Sequence, residues 1–154
     1  MNGIKSLVTG DIGLDQADAG SGSDSNLRIM LVSADQSATA TPKQTHAVRT
    51  DINATVSNYE ITGTGYTTLG KPVVATVAFD SVGTPTAVEV SFAQTSWTSS
   101  TITARGAIIF YHAGSTPSAS TDKLLAYLDF GANVSSSNGT FTVSVTTPLS
   151  IDNS

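Results

Sequence analysis

Residues 96–145, SWTSSTITARGAIIFYHAGSTPSASTDKLLAYLDFGANVSSSNGTFTVSV, decide the fold of this 154-residue chain. Three apolar runs rich in strand-forming residues occupy 103–112, 123–130 and 140–146, and segments rich in Ser, Thr, Gly and Asn separate them. The first two runs place apolar residues on both faces of an extended strand, as expected of strands that are covered on both sides. The pattern predicts a sheet of non-local strand pairings with long loops at the strand ends.

The third run alternates cleanly between apolar and hydroxyl-bearing residues. Phe141, Val143 and Val145 are predicted to point inward, and the Thr and Ser residues between them outward. Asn138-Gly139, just before this run, is a strong turn signal because both residue types tolerate a positive φ angle. The sequence therefore predicts a loop over 131–139 between the second and third strands.

The rest of the chain adds shorter strands and one helix. Leu27–Ser33, Pro72–Phe79 and Ala87–Gln94 are predicted strands, and Tyr59–Thr62 is a short one. Gln44–Ile52 favours one or two turns of helix. About six or seven strands with one short helix predict an all-β fold, either a β-sandwich or a jelly-roll-like barrel.

Composition agrees with an extended β-protein of one domain. Charged residues make up only 12% of the chain, and 21 Ser and 23 Thr supply most of its polarity. Thr suits strands because its branched β-carbon fits a pleated surface, whereas Ser suits loops. The length fits one β domain over residues 27–154, preceded by an extended N-terminal arm over residues 1–26.

The arm is the part of the sequence to which a binding role is assigned. It carries spaced apolar residues and then the small, acidic tract DQADAGSGSDSN over 15–26. Such a segment buries its own apolar residues poorly, so it is predicted to pack on a partner surface or a sister subunit, with a frayed terminus as the alternative. The predicted partner-binding residues are Ile4, Leu7, Val8, Ile12 and Leu14.

The distribution of charge argues against several classes of partner. The formal net charge is −5, and the seven Lys and Arg residues are scattered along the chain. A nucleic-acid binder needs a concentrated cationic face, and an anionic membrane attracts basic segments, so neither partner is expected. The N-terminus lacks the pattern of a signal peptide, and no apolar run approaches the roughly 20 residues that span a bilayer.

One segment matches most of a phosphate-binding loop. GYTTLGK, residues 65–71, fits G-x-x-x-x-G-K, but Pro72 stands where a Ser or Thr would hold Mg²⁺. A strand-like run follows in place of the helix whose N-terminal amides would face a phosphate. The segment is therefore interpreted as a turn-rich loop that leads into a strand, and no nucleotide cofactor is expected.

The candidates for catalysis and metal binding are few. His46 and His112 are the only imidazoles, and a Ser–His–Asp triad with Asp129 has no G-x-S-x-G motif to support it, so no catalytic residue is assigned. Two His residues and no Cys do not make a zinc site, and the acidic residues of the arm lack the spacing of a calcium loop. Trp97 is a candidate sugar-stacking platform, and the simpler interpretation is a residue that caps the edge of the core.

From residue 58 onward the sequence resembles a family of small structural proteins of tailed phages. Three segments carry the resemblance: ITGTGYTTLGK (61–71), SWTSSTITARGAIIFYHAGSTPSASTDKLLAYLDFG (96–131) and SSSNGTFTVSV (135–145). In addition, QTHAVRTDI (44–52) is similar to a short segment that lies just upstream of these in the family. Residues 1–26 lie outside it, because the family's counterpart of Leu27–Ser33 comes almost at the start of the chain.

The resemblance implies a structural role on the virion, since some members of this family look like capsid decoration, or cement, proteins. The expectation is a non-enzymatic cement protein made in the host cytoplasm, which binds the major capsid protein on the capsid exterior and itself as a homotrimer. The alternative is a tail or head-fibre module that binds host-surface carbohydrate through an exposed aromatic cluster such as Trp97 with Tyr66 or Tyr111. A third interpretation, a cell-wall hydrolase, requires His46 or His112 beside an acid in a cleft.

Overall fold

The computed structural model describes residues 27–33, 47–53, 59–79, 87–112 and 121–152. The elements within these ranges are β1 (Leu27–Val32), α1 (Arg49–Asn53), β2 (Lys71–Pro72), β3 (Ala75–Phe79), β4 (Ala87–Phe92), β5 (Thr95–Tyr111), β6 (Lys123–Val143) and β7 (Leu149–Asp152). The all-β prediction is confirmed. The N-terminal arm and His46 lie outside the described residues.

Two antiparallel sheets make up this β-sandwich-like domain. One sheet has four strands in the order β2-β1-β5-β6, and the other has three strands in the order β3-β4-β7. Every strand pairing in both sheets is antiparallel. The prediction of about six or seven strands therefore agrees with the seven found in the described part of the chain.

β5 is the central strand of the larger sheet and is buried on both faces. It pairs with β1 on one side and with β6 on the other. On one face Ile109 belongs to a large buried cluster that also contains Val90 of the second sheet. On the other face Phe110 belongs to a smaller cluster that contains Ile52 of α1. The prediction that this strand is covered on both sides is confirmed, and burial of each such side chain contributes about 1.5–3 kcal/mol to stability.

β5 and β6 together form a long ribbon that bends sharply. Several register shifts interrupt the ladder, and the largest lies where Arg105 of β5 alone faces residues 130–133 of β6. Extra residues on one strand bend a ribbon and increase its twist. The bend brings the rings of Phe130 and Phe141, which lie on the same strand, to a centroid distance of 6.2 Å.

The prediction of a single strand over Pro72–Phe79 is wrong, because the chain changes sheets within it. β2 pairs with β1, whereas β3 pairs with β4. The crossing is made by Val73, whose N–H donates to β1, and by Val74, whose carbonyl accepts an N–H just after β4. The chain thus leaves β1 at Val73 and joins the second sheet at Val74.

The predicted loop over 131–139 is also wrong, since β6 continues through it. Asn138 has a φ angle of 50°, in keeping with its turn propensity, but it lies in a bulge between paired stretches of the ribbon. β5 correspondingly begins at Thr95, well before the predicted start at Thr103. The inward orientation of Phe141 and Val143 is confirmed, because both side chains are buried.

Candidate functional site

The GYTTLGK loop packs tightly on the larger sheet. Gly70 has a φ angle of 63°, and a Cβ atom built on it would lie 1.9 Å from the carbonyl oxygen of Ile29 in β1. Gly65 approaches the backbone of β5 in the same way. The lysine of the motif, Lys71, donates through Nζ to the carbonyl of Ser96 at 2.8 Å. The interpretation as a structural loop therefore agrees with its placement.

The anion that this loop binds is a carboxylate of the same chain. Oε1 of Glu60 accepts the N–H of Leu69 at 2.6 Å and the hydroxyl of Tyr66 at 2.8 Å. The Tyr66 oxygen in turn accepts the N–H of Leu31 in β1 at 3.1 Å. Burial, reinforced by the nearby charge of Glu60, raises the pKa of Tyr66 well above its ordinary value. The loop is thus fixed to β1 by a neutral phenol and one acid.

Trp97 is fully buried and so offers no surface to a sugar. Its ring stacks on Tyr66 at 5.9 Å, with 27° between the ring planes, and meets the edge of Phe141 at 6.3 Å. Nζ of Lys71 lies 5.8 Å from the ring centroid, in cation–π range. The indole Nε1 has no acceptor among the described residues. The interpretation of Trp97 as a core residue is confirmed, and the platform of Trp97 with Tyr66 is absent from the surface.

The single tryptophan predicts a fluorescence result. Because Trp97 is enclosed by apolar rings, we expect a blue-shifted emission maximum that iodide barely quenches, and we expect host-surface oligosaccharides to leave the spectrum unchanged. The same protein unfolded in guanidinium chloride is the control, and it should show red-shifted, fully quenchable emission. Strong iodide quenching of the native protein would contradict the burial of this ring.

His112 lies beside an acid, Asp122, whereas Asp129, the acid considered for a triad in the sequence, lies elsewhere. His112 Nδ1 and Asp122 Oδ1 are 2.9 Å apart, and the other carboxylate oxygen accepts Nε of Arg49 at 2.8 Å. Asp122 is completely buried, and Arg49 and His112 are nearly so. Asp129 instead pairs with Arg105 on the neighbouring strand.

This buried triad joins α1 to the strands β5 and β6. Arg49 begins α1, His112 follows β5 and Asp122 precedes β6, so the three side chains tie α1 to the adjoining ends of two consecutive strands. The backbone N–H of Arg49 also donates to the carbonyl of Asp122 at 2.9 Å. Buried charges persist when they are paired and hydrogen-bonded, as these are. The geometry is that of a structural clamp, and no local motif in the sequence marks it.

Among the described residues, no group of three or more His, Asp or Glu side chains is placed to hold a metal ion. No helix there has the length and apolar character that crossing a bilayer requires.

The feature with the character of an interaction site is the outer edge of β6. β6 is the last strand of its sheet, and in the described part of the chain only the segment just before α1 covers its outer side, through a bridge from Val48 to Lys123. From 130 to 151 the sequence contains no charged residue. Nearly all residues of the 131–140 stretch are exposed. We call the part of β6 from 131 to 143 the free edge.

Hydroxyl groups dominate the ribbon at the free edge. Ser96 and Thr142 are hydrogen-bonded across the two strands at 3.0 Å, and Thr103 and Ser135 at 2.7 Å. Next to this region a groove of about 380 Å³ is lined by two stretches, 127–130 and 143–147. The groove combines Leu128, Phe130 and Val143 with hydroxyl-bearing residues and with one acid, Asp129.

The predicted binding residues of the arm, Ile4, Leu7, Val8, Ile12 and Leu14, are not among the described residues. The sequence reasoning did not identify the free edge, although one signal for it was present, namely the absence of charge from 130 to 151. Compared with family models, with curated proteins and with solved structures, the chain matches none.

Proposed function

We propose that this chain is a structural protein of a bacteriophage virion, and specifically a decoration protein that clamps the outer surface of the capsid. The observation that carries the proposal is the free edge, a long, exposed and uncharged strand edge on a domain whose buried polar groups are used for its own cohesion. A surface of this kind favours contact with other protein through backbone pairing and shape. The likeness of 61–71, 96–131 and 135–145 to small tailed-phage proteins supports the virion as the setting.

The proposed mechanism is mechanical. A homotrimer would sit where subunits of the major capsid protein meet, and each copy would bury surface on more than one subunit. Once one copy of a linked oligomer has bound, the other copies are held near their own binding sites at a high effective concentration. Weak individual contacts therefore give a high overall affinity. The acidic balance of the chain suits a protein that stabilises the shell from outside without contacting the genome.

The arm gives the first test of this proposal. A protein that lacks residues 1–26 keeps β1 and every described pairing, so it is expected to fold with an unchanged circular dichroism spectrum. If the arm lies across the shell, the truncated protein should lose at least tenfold in affinity for empty heads, because its spaced apolar residues no longer contribute. Binding is measured by co-sedimentation with heads purified from a phage lacking the gene.

A full-length variant controls for the length of the chain. In it Ser replaces the five apolar residues of the arm, Ile4, Leu7, Val8, Ile12 and Leu14, and we expect it to bind as weakly as the truncation. If both variants occupy the heads as fully as the unmodified protein does, the arm has no anchoring role. If the protein is missing from purified mature particles by mass spectrometry, the virion proposal itself fails.

A further inference from the structure

The Asn138-Gly139 pair lies in an exposed bulge of β6. The ladder pairs Ser136 and then Gly139 with β5, and Thr101 of β5 alone faces the two residues between them. A bulge of this kind leaves an extra residue unpaired and disrupts the ladder locally. Asn138 is one of these two residues, and it is exposed with a φ angle of 50°. The pair therefore stands outside the regular hydrogen-bonded part of the ribbon.

The carboxamide of Asn138 and the peptide nitrogen that follows it have open surroundings. The backbone N–H of Asn138 donates to Oγ1 of Thr101 at 3.0 Å, but its side-chain amide has no hydrogen-bond partner among the described residues. A Cβ atom built on Gly139 would meet one atom within 4 Å beyond its chain neighbours, the carbonyl oxygen of Ser137 at 3.7 Å. Nothing described in the structure thus holds the carboxamide away from this nitrogen.

From these observations we infer that Asn138 is a site of spontaneous deamidation in the folded protein, with water as the co-reactant. The peptide nitrogen of Gly139 gives up its proton and attacks Cγ of Asn138, so that an N–C bond forms and the Cγ–Nδ2 bond breaks. The proton ends on the leaving Nδ2 group, which departs as ammonia, and a cyclic imide remains. Water then opens the ring at either carbonyl and leaves an aspartate or an isoaspartate at this position.

The residue after each asparagine decides how readily this ring closes. Gly139 has no Cβ, so its nitrogen can approach the carboxamide freely, whereas the branched side chain of Val134 crowds the nitrogen that follows Asn133. Asn133 is also exposed and lies on the same strand, so it is a matched comparison.

The product changes the character of the free edge. It places a negative charge in the 130–151 stretch, which has none in the unmodified chain. An isoaspartate also lengthens the backbone, and it does so where β6 already carries an extra residue, so the ladder on either side can persist. This inference goes beyond the proposed function and does not depend on it.

The test follows both asparagines in one tryptic peptide of the full chain. No Lys or Arg follows Lys123, so Asn133 and Asn138 share the peptide 124–154, which is separate from the Asn2-Gly3 pair of the arm. The folded protein is kept in mildly alkaline water enriched in heavy oxygen and is then digested in ordinary water. Only deamidation of the folded protein carries the isotope, and fragmentation in the mass spectrometer locates it. We expect Asn138 to acquire the label about tenfold faster than Asn133, or more.

The variant Gly139→Ala tests the route of the reaction. The φ angle of Gly139 lies outside the left-handed region and the new Cβ makes an ordinary contact, so the variant should fold with an unchanged circular dichroism spectrum. Its methyl group crowds the attacking nitrogen, so Asn138 should convert about tenfold more slowly.

Three results would overturn the inference. One is equal labelling of Asn133 and Asn138 in the unmodified protein, and another is an unchanged rate in Gly139→Ala. The third is an Asn138 that stays intact in the folded protein over the time in which it converts in guanidinium chloride, since the fold would then protect the pair.

Discussion

Replacing Gly70 with Ala is expected to lower the free energy of unfolding by more than about 4 kcal/mol, or to prevent folding altogether. The new Cβ would lie 1.9 Å from the carbonyl oxygen of Ile29 and 2.8 Å from the Cα of Met30, and both of these atoms belong to backbone. β1 cannot retreat, because Ile29 is paired with Lys71 on one side and with Ile109 on the other. Urea denaturation followed by circular dichroism gives the measurement.

Gly131 provides a matched control for the effect of backbone conformation. Its φ angle of 76° is close to that of Gly70, but a Cβ built on it meets no atom within 4 Å. Gly131→Ala should therefore cost only the strain of a left-handed conformation, about 1–3 kcal/mol. If the two variants lose the same stability, Gly70 is required only for its backbone conformation, and the close approach of the loop to β1 does not account for the loss.

Replacing Asp122 with Asn is the second change with a large expected effect. Asp122 is completely buried and accepts hydrogen bonds from Arg49, and its removal leaves the guanidinium buried without a counter-charge. Breaking a buried ion pair in this way destabilises proteins by about 3–5 kcal/mol. The loss is measured by chemical denaturation at neutral pH, with α1 expected to separate from the sheet because Arg49 is its first residue.

The exposed ion pair of the ribbon is the control. Asp129 is 41% exposed on its side chain and pairs with Arg105, and Asp129→Asn keeps an oxygen that can still accept the N–H of Gly131. Exposed pairs contribute about 0–1 kcal/mol, so this variant should be nearly as stable as the unmodified protein. Equal losses at the two positions would mean that the buried triad does not hold α1 in place.

The strands that follow from local patterning were predictable from the sequence. β1, β4 and the apolar part of β5 are runs of strand-forming residues, and the spacing of their apolar residues can be read directly from the sequence. The two-faced burial of Ile109 and Phe110 follows from the same pattern, as does the inward orientation of Phe141. These features depend on side chains within one segment, which is why one sequence is enough to predict them.

The features that were missed depend on partners distant in the chain. The 131–139 stretch resembles a loop because its Ser, Asn and Gly residues favour turns, yet the neighbouring β5 gives it a ladder to join. Tertiary pairing of this kind overrides local propensity. The triad of Arg49, His112 and Asp122 likewise joins residues with no common local pattern. The sequence showed the free edge only as a stretch without charged residues. The strand order was needed to show that this stretch lies at the edge of a sheet.

The place of β1 in the larger sheet has a kinetic consequence. Leu27 pairs with Tyr111 and Val32 with Gly106, so β1 must wait for β5 to be synthesised before this ladder can form. Closing so long a loop costs conformational entropy before the contacts that offset this cost can form. For this reason all-β domains of this kind fold in milliseconds to seconds. Until β5 emerges, β1 has only the two-residue strand β2 and the loop before it to pair with, so the sheet that contains β1 is completed late in synthesis.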